Sequence, residues 1–63
     1  MQDLEARAGK LELEANECDL IAQLAIDPQK RAAFESLGAV LRREAGILRR
    51  LIGDMQAGSR EPR

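Results

Sequence analysis

Cys18, Glu44 and the five arginines Arg31, Arg42, Arg43, Arg49 and Arg50 are the side chains whose types and positions bear on chemistry. A cysteine thiolate is a nucleophile and a soft metal ligand, but a metal site takes several ligands and a nucleophile takes a neighbouring base. The chain has no histidine and no second cysteine. Cys18 therefore reads as a core side chain, and neither a metal nor a cofactor is expected. The carboxylates are strung along helix faces instead of converging in a pocket, and no glycine-rich phosphate loop occurs. The expectation is a protein that is not an enzyme.

The arginines suggest binding. Ala32, Ala39, Gly46 and Gly53 recur every seven residues, on the side of a second helix opposite its apolar seam. Two glycines inside an exposed helix cost about 1 kcal/mol each, which invites a reason such as close approach of a partner. Arg31, Arg42 and Arg49 flank this stripe on one side and Arg43 and Arg50 on the other. A groove with basic walls admits an acidic helix or a phosphate backbone; a solvated arginine face with tolerated glycines accounts for the same residues. Glu44 stands in the middle of an apolar seam. Either it is a register device awaiting a basic partner, or it reaches the seam's edge and pairs with Lys10, Arg7 or an arginine of another chain.

Two helices must position these groups. Proline disfavours helix for the residue before it and is well suited to the first helical position, so Asp27-Pro28 is a stop followed at once by a start, with Asp27 as the capping residue. Helix one is predicted over about Asp3 to Ile26. Its apolar residues are Leu4, Ala8, Leu11, Ala15, Cys18, Ala22 and Ala25, an unbroken heptad seam rich in small side chains. A second set, Leu13, Leu20 and Leu24, projects about 160 to 200° from Leu4, with Ile21 between the two. One partner helix does not cover both sets, which points to a four-helix bundle built from two hairpins.

Helix two is predicted from Pro28 to about Ala57, with the seam Phe34, Leu37, Leu41, Glu44, Leu48, Leu51 and Met55, flanked by Ala33, Val40, Ile47 and Ile52. Folding back at Asp27-Pro28 places Leu37 near Cys18, Leu41 near Ala15, Leu48 near Ala8 and Leu51 near Leu4, large residues against small. The same register predicts pairs between Glu5 and Arg50 and between Glu12 and Arg43. Gly58 reads as a helix end, and residues 58–63 as a disordered tail. The predicted fold class is thus all-α, a two-helix antiparallel hairpin over residues 1–57 that dimerises into a four-helix bundle.

Composition bounds the function further. A chain of 63 residues rarely supplies more than about 3 to 5 kcal/mol from its own core, so association is expected to complete it. Phe34 is the only aromatic residue, which leaves little for base stacking. No apolar run is long enough for a membrane span, and the acidic start, Met-Gln-Asp-Leu-Glu, is unlike a secretory leader. With one cysteine, the reading is cytoplasmic. Residues 1–27 carry seven acidic and two basic side chains, a balance of −5, and residues 28–57 carry six basic and three acidic, a balance of +3. The two helices attract, and each offers a docking face for opposite charge.

Glu17-Cys18, Ile21-Ala22, Leu24-Ala25, Asp27-Pro28, Lys30-Arg31, Phe34 and Leu37 resemble the pattern of a set of short uncharacterised alphaproteobacterial proteins: Glu-Cys, Leu-Ala, Asp-Pro, Lys-Arg and a further Leu-Ala. The likeness covers roughly residues 17–52. It departs at Gly38, which follows Leu37, and at Glu44-Ala45-Gly46, where an aromatic and a final Leu-Ala belong to the pattern. It implies a cytoplasmic bacterial hairpin without an activity. Hairpin layout is also similar to Rop, a dimeric RNA-binding bundle. Leu4-Glu5 with Gly46-Ile47-Leu48, Leu51 and Asp54 is similar to the co-chaperones of type III secretion needle subunits, which work as half of a heterodimer.

The functional expectation is a self-associating protein-interaction module. Its association core is Leu4, Leu11, Cys18, Ile21, Leu24, Phe34, Leu37, Leu41, Leu48, Leu51 and Met55. The alternatives are a heterodimerising adaptor with a second helical protein as partner, and an RNA-binding regulator using the arginine face.

Overall fold

The computed structural model describes the backbone of residues 2–60 and the side chains of residues 2–57. Two helices, α1 (Gln2–Leu24) and α2 (Pro28–Arg60), pack against each other as an antiparallel hairpin. The result is a rod of 57 × 15 × 12 Å.

The turn works as its residue types dictate. Asp27 caps α2: its Oδ1 accepts the Gln29 amide at 3.0 Å, and its carbonyl accepts the Arg31 amide at 2.9 Å as the first helical bond. Pro28 takes the first helical position, where no amide hydrogen is needed. At the other side of the turn, α1 stops at Leu24, two residues short of the expected Ile26, and closes with the Ala25 amide donating to the Ala22 carbonyl at 3.3 Å. Arg31 Nη2 then donates to the Ala25 carbonyl at 2.9 Å. α1 has no basic residue in its own last turn, and Arg31 brings a cation to that negative helix end.

The α1 seam is as expected: Ala8, Leu11, Ala15, Cys18 and Ala22 are buried, and Leu4 and Ala25 half-buried. The α2 seam is not. Gly38, Ala45 and Ile52 are buried and Phe34, Leu41 and Leu48 half-buried, whereas Leu37, Glu44, Leu51 and Met55 are exposed. The two candidate stripes share Phe34, Leu41 and Leu48 and differ by one residue in alternate layers. The chain takes the stripe that keeps the Glu44 charge in water, since burying a charge without a partner costs several kcal/mol. It is also the stripe that lets two backbones approach closely.

Cys18 consequently faces Gly38, not Leu37, and the layering there is small against small. A Cβ built on Gly38 would lie 3.5 Å from Cys18 Cβ and 3.4 Å from the Ala15 carbonyl oxygen. The vertical register is nonetheless the expected one, because Gly38 and Leu37 sit at nearly the same level. α2 runs past Gly58 to Arg60, beyond the expected helix end; of the expected tail, residues 61–63 lie outside the described residues.

Candidate functional site

Heptad packing gives the hairpin two long edges, and they differ in chemistry. On one edge, residues 5, 12 and 19 of α1 meet residues 42, 49 and 56 of α2 in a polar ladder. Arg49 holds Glu12 by two parallel bonds, Nη2 to Oε1 at 2.9 Å and Nε to Oε2 at 3.2 Å. Arg42 Nη2 pairs with Asp19 Oδ2 and donates to Asn16 Oδ1 at 3.3 Å. Gln56 Nε2 lies 3.5 Å from Glu5 Oε2. The Arg49 hydrogen bonds hold the Glu12 carboxyl below its ordinary value, over a smaller opposing desolvation, and Glu12 in turn raises Arg49. Both pairs are about half exposed to water, which screens them, so they fix the pairing of the edges more than they stabilise the fold.

These partners replace the expected ones. Glu12 binds Arg49 instead of Arg43, and Glu5 approaches Gln56 instead of Arg50. Rotating α2 to bury Gly38 and Ala45 swings residues 42, 49 and 56 onto the α1 edge and turns Arg43 and Arg50 outward. The signal for the ladder was the seven-residue spacing of Glu5, Glu12 and Asp19 and of Arg42, Arg49 and Gln56, legible only once the seam is placed one residue later.

The opposite edge is apolar along α2. Leu37, Val40, Ile47 and Leu51 lie along one line at spacings of three, seven and four, with Glu44 in the gap between Val40 and Ile47, and all four are between 45% and 59% exposed. Ile21 and Leu24 of α1 add to this edge near the turn, at 43% and 75% exposure. Towards the open end the α1 side becomes charged: Arg7, Lys10 and Glu14 surround a shallow hollow with Leu11 as its floor. A second hollow beside it is lined by Arg7, Leu11, Glu44, Ile47 and Leu48. Glu44 thus sits on the apolar edge, next to Arg7, and forms no ion pair among the described residues.

The expected association core divides in two. Leu4, Leu11, Cys18, Phe34, Leu41 and Leu48 lie between α1 and α2; Ile21, Leu24, Leu37, Leu51 and Met55 remain exposed. Leu13 and Leu20 are exposed on the far side of α1, so the second side expected for that helix has no cover within one chain. Gly38 and Ala45 are the seam positions that a search for large apolar residues passes over.

The expected groove of Ala39, Gly46 and Gly53 is fully open. Those three residues are exposed, and nothing lies within 4 Å of a Cβ built on Gly46 or Gly53. Its basic walls are reduced, because Arg42 and Arg49 are engaged with Asp19 and Glu12. Cys18 is a buried free thiol. Among the described residues, no group of three or more acidic or cysteine side chains is placed to hold a metal, and no helix is long and apolar enough to cross a membrane. No family model, curated protein or solved structure matches the chain.

Proposed function

We propose that the chain is a non-enzymatic interaction module that completes its core by pairing with a second copy of itself, two hairpins making a four-helix bundle. One observation carries this reading: the line Leu37, Val40, Ile47 and Leu51 keeps the heptad spacing of a packing seam while remaining about half exposed. A surface helix that faces only solvent does not keep such a line, and an exposed apolar line of this kind, interrupted only by Glu44, marks an interface. The core inside one hairpin supports the same reading. Its fully covered residues are mostly small, Ala8, Ala15, Ala22, Gly38 and Ala45 beside Leu11, Cys18 and Ile52, while Leu4, Phe34, Leu41 and Leu48 are only half-buried, so a single hairpin buries little apolar area and is weakly held. Pairing brings the second strip out of water.

The arginine face has less to support it as an RNA site. Two of its arginines are neutralised by carboxylates of the same chain, and the stripe between them is empty of aromatic residues. The experiment is a series of thermal melts by circular dichroism over a hundredfold range of concentration. Pairing predicts a melting temperature that climbs with concentration. A helical chain that melts at one temperature throughout contradicts it.

A further inference from the structure

We infer that Arg7 is the residue that lets the Leu37–Leu51 edge be covered: when the second copy closes over that edge, Arg7 forms an ion pair with Glu44 of its own chain. This rests on the pairing proposed above and adds the group on which its strength depends. It requires no choice of how the second copy is turned, because both side chains belong to one hairpin.

Glu44 is the charge in the apolar line. It fills the gap between Val40 and Ile47 and is exposed, as those two neighbours are. In a lone hairpin, water solvates the carboxylate. A second copy laid on Val40 and Ile47 takes that water away, and a carboxylate covered without a partner is costly. The gain from covering Leu37, Val40, Ile47 and Leu51 is offset unless a cation reaches Glu44.

The hollow that holds Glu44 supplies one. It is lined by Arg7 and Leu11 from α1 and by Glu44, Ile47 and Leu48 from α2, so Arg7 is the cation among its walls. Arg7 is exposed, and its side chain makes no ion pair among the described residues. The other charges near this hollow have different places. Lys10 lies with Arg7, Leu11 and Glu14 around the neighbouring hollow, and it stands four residues before Glu14, the spacing of neighbours on a helix. Arg42 and Arg49 are held by Asp19 and Glu12 on the opposite edge. Arg43 projects about 100° away from Glu44 around α2.

Arginine also suits the place in shape. With its head on Glu44, its apolar stem lies over the Leu11 floor, and the planar head offers two donors to the carboxylate. The pair ties α1 to α2 on the side away from the Glu12–Arg49 ladder. Covering the edge and clamping the open end of the hairpin then become one event.

Arg7→Met separates this from an edge held by apolar area alone. Methionine keeps an apolar stem and removes the charge. On apolar area alone the variant enlarges the edge and associates more tightly; with Glu44 left unpaired it associates about tenfold more weakly, or worse. Sedimentation equilibrium at matched helix content reads the sign. Adding Glu44→Leu removes the stranded carboxylate and completes the apolar line, so the Arg7→Met/Glu44→Leu double variant is expected to associate at least as tightly as the parent. An Arg7→Met chain as tight as the parent or tighter overturns the inference, as does a double variant as weak as Arg7→Met, and both results leave pairing intact. A folded parent with the mass of one chain at every concentration overturns the pairing as well.

Discussion

Gly38 packs against Cys18 so closely that a Cβ at residue 38 would stand 3.5 Å from the cysteine Cβ and 2.8 Å from Asp19 Oδ1. This contact sets the spacing of the two helices and gives the glycines of α2 different sensitivities. Gly46→Ala and Gly53→Ala meet nothing within 4 Å and should raise stability by about 0.5 to 1 kcal/mol each, as a helical glycine gives way to alanine. Gly38→Val instead must push α1 away, and a loss of about 1 to 3 kcal/mol is expected from overpacking. Urea melts of the three variants check the order; a Gly38→Val as stable as the parent would remove the close contact from the account.

Asp27 joins the turn to α2 through the Gln29 amide. Asp27→Ala should cost about 1 kcal/mol, the loss of one capping bond, and Asp27→Asn much less, because the amide oxygen still accepts. Equal losses in the two variants, measured by urea melts, would mean that the side-chain cap contributes nothing.

The one-residue shift of the α2 seam shows how far sequence reaches here. The turn was legible in Asp27-Pro28, and α1 in its seven apolar positions, because each residue there has a single consistent reading. In α2, Phe34, Leu41 and Leu48 belong to two interleaved stripes. Apolar volume favours Leu37 and Leu51 in the seam, while the Glu44 charge and the fit of Gly38 against Cys18 favour the stripe of Gly38, Ala45 and Ile52. Periodicity alone does not weigh a desolvated carboxylate against a close backbone contact. The ion-pair partners changed with that rotation. Had Glu44 been taken as forbidden in the core, Glu12–Arg49 and Asp19–Arg42 would have followed.

Glu12 carries a pH dependence of known sign. Its carboxyl is held below the ordinary value of 4.5 by the Arg49 hydrogen bonds, so the folded state binds its proton less readily than the unfolded chain does. The contribution of the pair is therefore present above pH 4.5 and lost as pH falls through the lowered value. Glu12→Gln should melt slightly below the parent at neutral pH and level with it near pH 3. In 1 M salt the difference should shrink even at neutral pH. A gap that widens on acidification would contradict the pairing.

Ile47 and Leu13 are equally exposed, at 59% and 57%, but only Ile47 lies on the edge assigned to the second copy. Ile47→Lys should therefore weaken self-association at least tenfold, and Leu13→Lys should leave it within about twofold. Sedimentation equilibrium of the two variants makes the comparison at matched helix content. Equal effects at the two positions would remove the edge as the association surface.

The most direct test of self-association is molar mass in solution, by light scattering behind a sizing column, from one to a few hundred micromolar. Self-association predicts a helical species of twice the 7.0 kDa chain mass that gives way on dilution to a less helical one of 7.0 kDa. A fully helical, cooperatively melting particle of 7.0 kDa across that whole range would contradict it, for a single hairpin would then be sufficient and the Leu37–Leu51 edge would have no copy to meet.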